Sequence, residues 1–313
     1  MYGWLDNGNT CLKLSLIEAP WPKEGLSLHW SGYWVQPPPD TTQHRASALL
    51  APRCWQQRWP WPNAPLSNAE QHAFLRPKLE AWLQQLLAFH SATTGSSCPL
   101  HVGLLGSNPR WQAALDETLS QLAVTYPACH WHPIHHDLLE RVGCVQPSYA
   151  QPTSMGLDRR LNMEALATIM RATNTPQATV LSLGTACTLD TVRYHTPTAT
   201  FEHLGGCIAP GWASVARSLQ ASAPHLPEPR LVTPPPLNHA PPPPLGRETQ
   251  TCMDVGHTLL FWLGVRGLLH RYTEAGQGLW VCGGDAPTLL EHFPPNPSAW
   301  PNYAWWGVES FTE

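Results

Sequence analysis

The 313-residue chain carries 18 basic and 22 acidic residues, a formal net charge of −4, and only 13% charged residues overall. No long basic run accompanies that balance, so neither a nucleic-acid surface nor an anionic-membrane surface is expected, and the binding partner should be small. The hydrophobic fraction of 42% is enough to bury real cores, and the length suits two lobes of ordinary size.

The N-terminus, Met-Tyr-Gly-Trp-Leu-Asp, has no basic stretch followed by an apolar core, and no run of about 18 apolar residues occurs anywhere. Neither a secretory signal nor a spanning helix is expected, which places the chain in the cytoplasm. Its nine cysteines are scattered singly without a CxxC pair, a usage that fits a reducing compartment. Prolines number 34, nine of them within Pro20–Pro65 and ten within Pro224–Pro244. Proline lacks the backbone donor and clashes with a preceding helical turn. These clusters therefore read as two extended surface excursions, about 20–65 and 224–247.

In chain order, Trp4–Leu5 and Cys11–Ile17 read as strands joined through Asp6-Asn7-Gly8-Asn9-Thr10, since Asn-Gly between apolar runs signals a hairpin. After the first excursion, helical spacing covers Ser67–His90. A buried strand is expected over Pro99–Leu105, a helix over Trp111–Val124, a His-rich strand over Cys129–His136, and a helix from Gly156 to Arg171. The second half restarts the pattern, with a strand over Ala178–Leu183, a Gly184-Thr185 turn and a strand over Cys187–Tyr194. Helices follow over Trp212–Gln220 and Met253–Tyr272, then a strand over Leu279–Cys282 and a short helix over Pro287–His292. Both halves open strand, Gly/Thr turn, strand, which points to a duplicated α/β architecture with a cleft between lobes. The lobes are expected at 1–175 and 176–313.

The chemistry-bearing residues sit in the turns. In Asp6-Asn7-Gly8-Asn9-Thr10-Cys11-Leu12-Lys13 a tight hairpin turns backbone N–H groups inward, and glycine permits close approach to a phosphate. Asn9 and Thr10 add donors, and Lys13 can reach outer phosphates as a point charge. Asp6 would repel phosphate directly, so its natural role is to hold Mg²⁺ through water. The second turn, Gly184-Thr185, again presents hydroxyls, and two such loops facing one cleft could clamp a triphosphate. Gly205-Gly206-Cys207-Ile208-Ala209-Pro210-Gly211 and Gly283-Gly284-Asp285-Ala286 read as further Gly-rich turns after strands.

Taken in order, DxGNTxxK at Asp6–Lys13, GxDR at Gly156–Arg159, GTAxTxD at Gly184–Asp190, GGxIxPG at Gly205–Gly211 and the late GGDA resemble the type III pantothenate kinases. The resemblance runs from Leu5 to about Gly307, interrupted mainly by the two excursions. It implies a duplicated actin-like (ribonuclease H-like) two-lobe kinase fold with an interlobe cleft. The implied activity is phosphorylation of pantothenate by ATP and Mg²⁺, the opening step of coenzyme A biosynthesis, by a homodimer. By that resemblance Asp6, Asn7, Gly8, Asn9, Thr10, Lys13, Gly184 and Thr185 bind ATP. Tyr149, Gly156, Leu157, Asp158 and Arg159 bind the substrate, and Asp158 acts as the base for its hydroxyl.

Free N–H groups at a helix start favour anions, and Arg159 could fork onto a carboxylate. Two departures stand out. Ser182 occupies the position where the family carries an aspartate for its monovalent cation, and a neutral hydroxyl is a poorer ligand, so dependence on K⁺ or NH₄⁺ should weaken. Ala223 stands where the family has a threonine against pantothenate, and Ser222 can substitute. The segment holding Cys129, His130, His132, His135 and His136 lacks a second ligand pair at zinc-finger spacing and reads as a chance cluster. Two alternatives remain open, a kinase of another small hydroxylated substrate and a non-catalytic ATP-binding regulator. Retention of Asp6, Asp158 and Arg159 favours an enzyme.

Overall fold

The computed structural model describes residues 2–7, 11–17, 54–62, 64–94, 99–106, 108–220, 222–232, 245–272, 278–283, 285–286 and 304–305. The hairpin residues Gly8, Asn9 and Thr10, most of both proline-rich stretches and the helix expected over Pro287–His292 lie outside them.

The first sheet contains β1 (Tyr2–Asn7), β2 (Cys11–Ile17), β3 (Cys54–Pro60), β4 (Leu100–Gly106) and β5 (Cys129–Pro133) in the order β3-β2-β1-β4-β5. β2 runs antiparallel to both β1 and β3, whereas β4 is parallel to both β1 and β5. Helices α1 (Asn68–Thr94) and α2 (Pro109–Thr125) cover this sheet. Leu75, Leu79, Trp82, Leu83 and Leu86 of α1 and Trp111, Leu115 and Leu122 of α2 share one core with Leu5, Leu12, Leu14, Leu100 and Val102. Trp61 stacks on Trp111 with ring centroids 4.2 Å apart, fastening the chain after β3 to α2.

The second sheet contains β6 (Val145–Gln146), β7 (Gln177–Leu183), β8 (Ala186–His195), β9 (Thr200–Pro210), β10 (Gly278–Cys282) and β11 (Ala304–Trp305), in the order β11-β10-β7-β8-β9-β6. Its first five positions repeat the pattern of the first sheet. β8 is antiparallel to β7 and β9, and β10 is parallel to β7 and β11. The sheet is covered on both faces. Helix α4 (Leu157–Thr173) packs Met163, Leu166, Ile169 and Met170 against Ala178, Val180 and Val192. Helix α6 (Thr249–Tyr272) packs Phe261, Trp262, Val265 and Leu269 against Leu181, Leu183, Leu189 and Val281. Residues alternate between these two cores along β7, as a pleated strand buried on both faces requires. α4 and β6 precede Pro176, and both lie with the second sheet.

Several elements differ from the sequence expectation. The His-rich strand ends at Pro133 rather than His136, and a short helix α3 (His136–Val142) follows. Cys54–Pro60, read as part of a surface excursion, pairs with β2 over seven residues as an edge strand, where a terminal proline costs no ladder bond. The Gly205–Gly211 segment, read as a turn, is mostly strand β9. Helix α5 (Trp212–Ala216) is shorter than the Trp212–Gln220 expected. Among the described residues no helix is long and apolar enough to cross a membrane.

Candidate active site

The two turns singled out in the sequence leave equivalent places in the two sheets. Asp6 and Asn7 end β1 beside Leu105 and Gly106 of the parallel strand β4. Ser182 and Leu183 end β7, with Ser182 beside Cys282 of the parallel strand β10. Carboxyl ends of parallel strands are where α/β sheets take ligands. In the repeated strand order, Ser182 therefore stands where Asp6 stands in the first sheet.

The Gly184-Thr185 turn is a packing centre for the later glycine motifs. The Gly211 N–H donates to the Thr185 carbonyl at 3.1 Å, and Ser214 Oγ donates to the same oxygen at 3.0 Å. A Cβ at Gly211 would collide with the Gly184 carbonyl. From the other side Gly283, at φ +105°, presses on Leu183 so closely that a Cβ would meet its backbone, and the Asp285 N–H donates to the Leu183 carbonyl at 3.0 Å. Two later motifs thus close on the turn that carries the exposed Thr185, one through Gly184 and Thr185 and the other through Leu183.

The GxDR segment begins α4. Gly156 is the N-cap and supplies no side-chain cap, so the first-turn N–H groups face outward with their partial positive charge. Asp158 is exposed, and its carboxylate turns back over Gly156. Arg159 turns the other way, into the protein, and is 4% exposed. Its Nε donates to Asp190 Oδ2 at 3.0 Å and its Nη2 to Asp190 Oδ1 at 2.5 Å. Nη1 donates to the Tyr149 hydroxyl at 2.5 Å, and the guanidinium lies 5.4 Å from the Tyr149 ring centroid.

His203, fully buried, sets Nε2 3.1 Å from Asp190 Oδ1, and its Nδ1 lies 3.4 Å from Ser148 Oγ. Burial alone would lower the Arg159 pKa, but the hydrogen bonds and charge of Asp190, with those of Tyr149, more than offset it and raise the value above the ordinary one. Arg159 stays a cation.

Two local features of β9 permit this arrangement. A bulge lies between Thr191 and Val192 of β8, so Val192 pairs with His203 rather than Leu204. Residues opposite each other point to the same face, so the extra residue brings His203 to the face that carries Asp190. Gly206 then pairs with Asp190 itself. A Cβ there would collide with Asp190 Oδ1 and the Leu189 carbonyl and crowd Arg159 Nη2. Sequence reading quoted Asp190 within a motif without giving it a role, and it missed His203 and the contact at Gly206. The one carboxylate in the strand Ala186–His195 was the available signal for Asp190.

A cavity of about 830 Å³ opens at the ends of β1 and β4. Leu5, Leu105, Gly106, Asn108, Ile134 and Leu157 are among its walls, so Leu157 of the GxDR segment and β1 share one space. Ser222 is exposed in a turn, with its N–H on the Leu219 carbonyl. The backbones of Asp6, Asn7 and Lys13 are described in β1 and β2, with Asp6 opposite Lys13.

His132 Nε2 lies 2.9 Å from His101 Nδ1, and His130 meets His101 edge to face at 5.3 Å. Burial first, and neighbouring imidazoles second, hold the pKa values of His101 and His132 below the ordinary one. Among the described residues no group of three or more His, Cys, Asp or Glu stands so as to hold a metal ion.

Comparison with known proteins adds three findings. A solved structure from Campylobacter jejuni, described as a Baf family transcriptional activator, aligns over 96% of this chain and 90% of its own at 14% identity and a TM-score of 0.39, too loose a likeness to bear on fold or function. A type III pantothenate kinase of Moorella thermoacetica is 32% identical over 144 residues, 45% of this chain, and the match spans half the length of that curated relative. The family model for type III pantothenate kinase matches residues 70–271, a span that takes in Tyr149, the GxDR helix, the Thr185 turn and the Arg159–Asp190 pair, and the chain belongs to that family.

Proposed function

We propose that this protein transfers the terminal phosphoryl group of ATP to the primary hydroxyl of pantothenate, giving 4′-phosphopantothenate for coenzyme A synthesis in the cytoplasm. The observation that carries the reading is the opposite orientation of Asp158 and Arg159. Adjacent residues at the start of α4 send an exposed carboxylate outward and a locked guanidinium inward. Asp158 is free to accept the hydroxyl proton, while Arg159, Asp190 and Tyr149 stiffen the wall behind it. Phosphoryl transfer asks for positioning and charge neutralisation more than covalent chemistry, and a stiff wall supplies the first.

The repeated strand order of the two sheets supports a duplicated actin-like fold, with one lobe built mainly on 1–175, the other on 176–313 joined by β6 and α4, and the cleft at the strand ends. In that cleft Asp6, Asn7, Gly8, Asn9, Thr10 and Lys13 would hold the ATP phosphates from one side, and Gly184 and Thr185 from the other. The donor set fits Mg²⁺, which keeps most of its waters and needs one carboxylate beside the phosphate oxygens. Asp6 would hold it, and the ion would neutralise charge on the transferring group. Tyr149, Gly156, Leu157 and Ser222 would line the pantothenate site. Leu260 and Leu263, three residues apart on the outer side of α6, are exposed, an apolar patch that supports a homodimer.

The test is ADP release with a panel of hydroxylated acceptors, pantothenate first, in Tris buffer with and without KCl. Turnover confined to pantothenate is expected, with a weak response to K⁺ because Ser182 offers a hydroxyl in place of a carboxylate. No turnover of pantothenate under any of these conditions refutes the proposal.

A further inference from the structure

The cavity at the ends of β1 and β4 has a polar stretch of wall on α2. Gln112 and Asp116 both line it, and Gln112 Nε2 donates to Asp116 Oδ1 at 2.8 Å. An ionised carboxylate only accepts, so this bond fixes which end of the carboxamide faces Asp116. A glutamine–aspartate pair at this spacing supports any helix. What sets this one apart is the glycine opposite it. Gln112 Oε1 occupies the place of a side chain at Gly106, the last residue of β4, and the three atoms nearest to a Cβ built there all belong to Gln112. The backbone does not ask for glycine at 106, since the positive-φ glycines among the described residues are Gly205 and Gly283. The bare backbone of Gly106 admits the carboxamide.

Gly106 pairs with Asn7 across β4 and β1, so the carboxamide is drawn to the strand ends. Leu157 lines the same cavity, and Asp158 is the next residue. An acceptor whose hydroxyl meets Asp158 and whose body lies in the cavity runs between Leu157 and Gln112. The wall around it is apolar, with Leu5, Leu105 and Ile134. In such pockets a few placed polar groups fix orientation and selectivity. A carboxamide both donates and accepts but carries no charge, which matches a hydroxyl or an amide better than a carboxylate or a phosphate.

We infer that Gln112, held by Asp116 and admitted by Gly106, is a specificity-determining residue that hydrogen-bonds the neutral middle of the acceptor, its amide or secondary hydroxyl. The inference rests on the kinase reading above and concerns the stretch between the reacting hydroxyl and the charged end. Asp116 is then a positioning residue.

The experiment is calorimetric titration of pantothenate, of its uncharged alcohol pantothenol and of ADP into the wild type, Gln112→Ala, Gly106→Ala and the double variant, alongside ADP-release assays. Alanine suits a helix, and at Gly106 it meets the far end of a flexible side chain. Gln112→Ala should weaken pantothenate and pantothenol alike, about 3- to 10-fold, the worth of one neutral hydrogen bond. ADP affinity should hold within about twofold, and kcat at saturating acceptor should not change. Gly106→Ala should have the same effect by pushing the carboxamide aside. It should add nothing in the Gln112→Ala background, because residues in contact couple.

A Gln112→Ala protein that binds both acceptors as the wild type does, or that loses ADP instead, overturns the inference. So does loss of pantothenate with pantothenol untouched, which marks an effect of charge. A Gly106→Ala loss that persists in full in the double variant also overturns it, because β4 then acts without Gln112. A wild type that turns over pantothenate while Gln112→Ala binds it normally sinks this inference alone. A wild type that binds pantothenate but never phosphorylates it sinks the proposed function alone. Absence of pantothenate binding sinks both.

Discussion

Gly206 pairs with Asp190 across β8 and β9, and a methyl group on Gly206 would stand on the carboxylate that holds Arg159. The glycine is required by close approach and not by its dihedral angles, since the residue with positive φ is its neighbour Gly205 at +130°.

Gly206→Ala should therefore act through the Arg159–Asp190 pair. One of the atoms in the way is the Leu189 carbonyl, which cannot rotate aside, so the strand itself has to shift. Overpacking of this kind costs about 1–3 kcal/mol. A lower Tm together with a raised KM for the acceptor is the expected result. An unchanged Tm with unchanged KM means that β9 has more room than the geometry allows.

Asp190→Asn probes the same pair from its charged side. It leaves the shape but removes the charge that compensates Arg159, and breaking a buried pair in this way costs up to about 3–5 kcal/mol. The double variant with Arg159→Gln should lose clearly less than the sum of the single losses, because residues in direct contact couple. Additive losses in urea denaturation would show that the two side chains act independently.

Strand–turn–strand openings were legible in the sequence because alternation and a Gly-Asn or Gly-Thr turn are local signals. The helix over Ser67–His90 was legible for the same reason, through its 3.6-residue spacing. β9 was not, because Gly205 and Gly206 mimic a turn when read locally, and their real constraint is the neighbouring Asp190. β3 was hidden by its setting between prolines, since an edge strand needs only one partner and tolerates proline at its end. Arg159 was picked out by its motif, but its locked state depends on Asp190, 31 residues away, and on a bulge that brings in His203. Such tertiary partners leave no mark in local spacing.

His101 and His132 give the fold a pH dependence whose sign is fixed. Burial and the surrounding imidazoles His90, His130 and His132 lower the pKa of His101, and burial with His130 lowers that of His132. The unfolded chain, with values near 6.5, then binds more protons than the folded one. Stability is full above about pH 6.5 and is lost as pH falls from there through the folded values. Tm should drop between pH 7.5 and pH 5.5, and His101→Gln should flatten that slope. A wild-type Tm that is level across this window contradicts the assignment.

Asp158 is the residue on which the chemistry turns. It sits in the first turn of α4, exposed, beside an arginine that faces the other way. Asp158→Asn keeps the shape and can still cover Gly156, but it cannot accept a proton. If Asp158 is the general base, turnover on pantothenate should fall by about two to four orders of magnitude, with ADP affinity and Tm close to those of the wild type. If Asp158 only stabilises the helix start electrostatically, the variant should lose about 0.3–1 kcal/mol of stability and keep its kcat. The two outcomes separate cleanly, because one moves kcat with Tm held and the other moves Tm with kcat held. A near-normal kcat in Asp158→Asn would reduce the residue to a helix-end charge and leave the proton of the acceptor hydroxyl to the phosphoryl group itself.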